Sequence, residues 1–118
     1  MVLTKVYIKR QIKEGKEKKF FELLKRLRAE AMHQKGYISG ETLINTDNAQ
    51  NIMVVGSWQR LEDWKSWKDN PARKEIDSLL EELQVEPTAY ESYAFSKYRV
   101  YVKSGFPRPP SSADPTAA

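Results

Sequence analysis

Residues 36–58 read GYISGETLINTDNAQNIMVVGSW, and the fold turns on whether this stretch is one element or two. Two runs, GYISGETLINT and NIMVVGSW, are separated by Asp47-Asn48-Ala49-Gln50, whose side chains suit a turn. The reading is a hairpin. In its second strand Ile52, Met53, Val54 and Val55 are apolar on both faces, whereas a sheet with one wet side alternates. The face turned away from the chain's own helices, at Met53 and Val55, therefore needs cover. A second copy of the chain, packing sheet against sheet as a symmetric dimer, is the expected cover.

Working outward, residues 3–12, LTKVYIKRQI, alternate: Val6, Ile8 and Ile12 share a side with Thr4 and Arg10, which predicts a strand. After Gly15 the spacing changes. Phe20, Leu24, Leu27 and Ala31 recur every three or four residues, predicting an amphipathic helix to about Gln34 that Gly36 ends. Beyond the hairpin, Leu61, Trp64 and Trp67 fall on one side of a short helix whose first turn holds Glu62 and Asp63, where the dipole favours negative charge. Asn70-Pro71 restarts the helix, with Asn70 as cap and Pro71 at the first helical position. Ile76, Leu79, Leu80 and Leu83 form its expected buried face. Pro87 stops it, and TAYESYAF followed by YRVYV predicts a last strand with a break near Ser96-Lys97. The order β-α-β-β-α-β with an antiparallel sheet is the ferredoxin-like α+β pattern. We expect it over residues 1–103, with residues 104–118, SGFPRPPSSADPTAA, as an extended or mobile tail.

Composition narrows the chemistry. At 118 residues one core is expected, and no apolar run approaches the ~20 residues of a membrane span. Lys5, Lys9 and Arg10 interrupt the apolar residues where a signal peptide would be uninterrupted, so a cytoplasmic location is expected. Cysteine is absent and His33 is the sole histidine, which argues against a protein metal site. The lysines alternate with glutamates and read as a solvated face despite a net charge of +4. Lys35-Gly36-Tyr37 resembles the start of an RNA-binding motif, but the match fails at Ile38 and Ser39, and nucleic acid is not an expected partner. GYISG lacks the order of a nucleophile elbow, and no glycine-rich nucleotide loop is present. His33, in the last turn of the first helix, reads as a surface or capping residue before it reads as an acid or base.

Lys35-Gly36-Tyr37-Ile38-Ser39-Gly40-Glu41, a strand ending in Trp58, Leu61-Glu62-Asp63-Trp64 and Lys68-Asp69-Asn70-Pro71-Ala72-Arg73-Lys74 together resemble the antibiotic biosynthesis monooxygenase (ABM) superfamily, over about residues 3–95. The resemblance implies a dimeric α+β barrel. It also implies a cofactor-independent monooxygenase, since family members oxidise phenols, hydroquinones and anthrone-type polyketides with neither metal nor flavin. A deprotonated, electron-rich arene can pass an electron to O₂ directly, so the protein must bind it, favour its anion and exclude water. Tyr37, Trp58, Trp67 and Arg73 are suitable residues, while Trp64 fits a core aromatic. The heme-degrading branch shares the tryptophan at Trp67, but its histidine falls at Asp77 and its asparagine at Ile8, which demotes heme. Ile8 and Asp77 thus join the substrate-pocket candidates, with His33 as a possible acid/base. The alternative is a non-catalytic module of the same fold, binding a small apolar ligand or acting as a structural dimer.

Overall fold

The computed structural model describes residues 3–96. The expected strand at 98–102 and the tail from 104 lie outside the described residues. Seven elements follow in order: β1 (Thr4–Gln11), α1 (Glu17–Ala31), β2 (Tyr37–Ile44), β3 (Asn51–Trp58), α2 (Leu61–Lys68), α3 (Pro71–Glu81) and β4 (Ala89–Ala94). The strands form one antiparallel sheet in the order β2-β3-β1-β4, the ferredoxin-like arrangement, with the second helical segment split into α2 and α3. The split has a local cause: the Asn70 carboxamide oxygen accepts from the Ala72 N–H at 2.9 Å, and Pro71 needs no hydrogen-bond acceptor.

Three turns set the frame. Gly15 and Gly36 adopt φ of 85° and 83°, a conformation that side-chain-bearing residues rarely reach, and Gly36 turns the chain from α1 into β2 against the side chain of Asp63. In the hairpin, Asn45 Oδ1 accepts from the N–H groups of Asp47 and Asn48, and Asn48 Oδ1 from that of Gln50. The side chains bonding the turn are thus mainly those before it.

The helices cover one face of the sheet, here the inner face. Val6, Ile8, Ile12, Ile52 and Trp58 meet Phe20, Leu24, Leu27, Trp64, Trp67, Ile76 and Leu80 there. Each such aliphatic side chain contributes about 1.5–3 kcal/mol by leaving water. Two expectations need correction. Leu79 is 38% exposed, because the buried stripe of α3 leans the other way and takes in Arg73 beside Ile76, Leu80 and the following Leu83. Val55, expected to need cover, is already 8% exposed, flanked on a central strand by Tyr7 and Glu41. On the outer face the exposed apolar surface lies instead at Leu43 and Tyr93.

Candidate functional site

Across the middle of the inner face the sheet carries no side chains where β2 meets β3, because Gly40 stands opposite Gly56. A Cβ at Gly40 would lie 2.8 Å from the Tyr37 hydroxyl, and one at Gly56 3.3 Å from Trp58 Nε1. The glycine pair makes room for two rings. Tyr37 reaches this face through a β-bulge: Tyr37 pairs with Trp58 but Ser39 with Ser57, so Ile38 is the extra residue. With strict alternation from Gly40 and Thr42, Ile38 would point inward in place of Tyr37.

Above the glycine pair lies a cavity of about 60 Å³. Its floor is Ile8, Tyr37, Val54 and Trp58, and its roof is Leu24, Leu27, Arg28 and Ala31 from α1, Trp64 and Trp67 from α2, and Arg73 from α3. Val54 is only half-buried between Ile52 and Trp58, as a residue under a cavity should be. The aromatic rings run across the face as a continuous series. Tyr37 meets Trp58 edge to face at 5.3 Å, Trp58 meets Trp64 at 6.0 Å, and Trp64 meets Tyr90 at 6.0 Å.

Arg73 is 2% exposed. Its Nη2 donates to the Tyr90 hydroxyl at 3.1 Å, and its guanidinium lies over the rings of Trp64 and Tyr90 at 5.3 and 5.4 Å. Lys68 stands over the same Tyr90 ring at 4.2 Å. At the more exposed side of the cavity, Arg28 donates to Thr42 Oγ1 at 2.7 Å. Burial raises the Tyr37 pKa, with Arg28 partly offsetting it, so the phenol is protonated and a donor at neutral pH.

Of the residues singled out from sequence, Ile8, Tyr37, Trp58, Trp67 and Arg73 line this one cavity, and Asp77 and His33 do not. The Asp77 carboxylate lies 2.9 Å from Arg10 Nη2, drawn to a buried guanidinium on β1 that also donates to Gln84 at 2.8 Å and Thr88 at 3.0 Å. His33 is exposed in the turn after α1, its N–H bonded to the Glu30 carbonyl. Sequence reasoning missed Arg28, Gly40 and Gly56, and assigned Trp64 to packing alone. Arg28 had a signal: it follows Leu24 by four residues and so borders the buried stripe of α1. A larger recess of about 500 Å³, lined among others by Lys9, Arg10, Asn45, Asn51 and Glu86, has no aromatic wall among the described residues. Among the described residues no three His, Cys, Asp or Glu side chains come together as a metal would require, and no helix is long and apolar enough to cross a membrane.

The model of the antibiotic biosynthesis monooxygenase family matches residues 4–77, which hold every residue lining the cavity. The chain belongs to this family. No functionally curated protein matches the sequence. Among solved structures, a conserved protein from Methanosarcina mazei Go1 is 25% identical with a TM-score of 0.74, covering 79% of this chain and 92% of that one. SnoaB, a cofactor-independent oxygenase from Streptomyces nogalater, is 12% identical with a TM-score of 0.73, covering 83% and 97%. Rv0793 from Mycobacterium tuberculosis is 12% identical with a TM-score of 0.72, covering 81% and 97%. At these identities the likeness to the last two shows the fold alone.

Proposed function

We propose that this chain is a cofactor-independent monooxygenase acting on a small electron-rich aromatic of the phenol, hydroquinone or anthrone type, with O₂ as co-substrate. The observation that carries the reading is a buried guanidinium, Arg73, on the wall of a cavity otherwise built from three indoles, a phenol, aliphatic side chains and, at its more exposed side, Arg28. Membership of the family and the oxygenase activity of SnoaB support it.

In this mechanism the bound anion passes one electron to O₂, giving an aryloxyl radical and superoxide. Their recombination at a ring carbon forms the new C–O bond. The peroxide anion takes back the proton that the substrate released on ionising, and loss of water from the hydroperoxide leaves the carbonyl of a quinone, so one oxygen atom enters the product and the other leaves as water. The substrate supplies all the electrons. The protein's share is to hold the arene against Trp58 and Trp67, set positive charge beside its oxygen and keep water out.

One observation favours the second reading, a non-catalytic small-ligand-binding or structural dimer module, in its structural form. At about 60 Å³ the cavity is smaller than the ~150 Å³ that accommodates benzene, so a substrate must displace a wall side chain. Oxygen uptake with a panel of hydroquinones and anthrones separates the two. We expect uptake with at least one compound in the wild type and its loss in Trp67→Ala. Binding by calorimetry without uptake across the panel would place the chain with the modules. We further infer that a second copy covers the outer face, where Leu43, Tyr93 and the nearby Phe95 are about half exposed. Light scattering at micromolar concentration should give twice the mass of one chain, and a monomeric mass would overturn this.

A further inference from the structure

The polar side-chain groups on the cavity wall are the guanidinium groups of Arg28 and Arg73, the phenol of Tyr37 and the indoles of Trp58, Trp64 and Trp67. Guanidinium and indole groups can only donate hydrogen bonds, and a protonated phenol supplies one more donor. Among the described residues, no carboxylate, carboxamide or imidazole lines the cavity. Among the described residues, the ion pairs are Lys9 with Glu91 and Arg10 with Asp77, so neither Arg28 nor Arg73 is neutralised by a neighbour. A buried cation without a counter-charge is costly, and an anionic ligand removes that cost where a neutral one does not.

Among the described residues the wall also lacks a base. Asp77 is engaged by Arg10, Glu41 faces the outer side of the sheet opposite Val55, and His33 is exposed beyond the end of α1. Resting on the reading that the cavity binds an aromatic, we propose that it takes that ligand as an anion already formed in solution. The anionic oxygen is held by Arg73, and a second acceptor on the ring meets Arg28 and Tyr37. Substrate selection then depends on the acidity of the ligand. Arenes ionised near neutral pH, or carrying a carboxylate, are accepted over neutral arenes of the same shape.

Titration calorimetry with 2,5-dihydroxybenzoate and its methyl ester tests this, because the two share a ring and differ in charge. The wild type should bind the acid at least about tenfold more tightly than the ester, the scale of one charge-assisted hydrogen bond. That preference should fall below about threefold in Arg73→Gln. Since Arg73 is buried, Arg28→Gln, at an only partly buried position, gives a second variant with the same expected direction. Equal affinity, a tighter ester, no binding of either at millimolar concentration, or a preference unchanged in both variants would overturn the proposal. Oxygen uptake is read separately. Anion preference without uptake upholds this inference against the oxygenase reading, and uptake with equal binding of acid and ester does the reverse.

Discussion

Arg10 on β1 and Arg73 on α3 are buried to the same degree, 3% and 2% exposed, against the same face of the same sheet. Arg10 meets a carboxylate, a carboxamide oxygen and a hydroxyl, each within 3.0 Å, and only its Nε lacks a partner. Arg73 meets one phenol and two aromatic faces. Burial alone therefore does not distinguish a structural arginine from a functional one. The counter-charge does: Arg10 ties β1 to α3 and to the segment before β4, while Arg73 has no carboxylate partner among the described residues.

If this contrast is right, the two arginines respond oppositely to mutation. Asp77→Ala leaves Arg10 buried without its carboxylate, and we expect a loss of about 3–5 kcal/mol in urea unfolding. Tyr90→Phe removes the hydrogen bond of Arg73 while keeping the ring, and should cost about 1.5 kcal/mol in the same assay, with weaker ligand binding. Arg73→Met exchanges an unpaired charge for an apolar side chain of similar length, so stability should stay within about 1 kcal/mol of wild type in either direction. A loss as large as that of Asp77→Ala would make Arg73 a structural residue and dissolve the comparison. The smallest effect concerns Tyr37. Its pKa is raised above 10.0 in the fold, so the folded state holds the proton more tightly. The stability this contributes is complete below pH 10 and declines as pH rises toward the folded value. Thermal unfolding between pH 9 and 11 should fall less steeply in Tyr37→Phe than in the wild type.

The fold was legible because its signals are periodic and local. Alternation from Thr4 to Ile12, the α1 stripe and the Asn70-Pro71 restart each act within a few residues. The site was legible only where residue type was informative, as with the indoles and Arg73. Asp77 shows the limit. It follows Arg73 by one helical turn, about 6 Å, just as Arg10 follows Ile8 by two strand residues, about 6.6 Å. Helix and strand keep step, so Arg73 sits over the cavity floored by Ile8 while Asp77 reaches Arg10. Spacing within α3 could not reveal this, because it depends on which strand lies beneath. Gly40 opposite Gly56 depends likewise on register, and the inward turn of Tyr37 on a bulge that no composition signals.

That bulge has a further consequence at the boundary of the sheet. Among the described residues β2 is an edge strand, the position at which a sheet offers backbone groups for a further ladder. The extra residue, Ile38, breaks the regular spacing those groups need, near the start of the strand. The same irregularity that brings a tyrosine to the cavity thus interrupts, at that end of β2, the regular backbone spacing that a foreign strand would need.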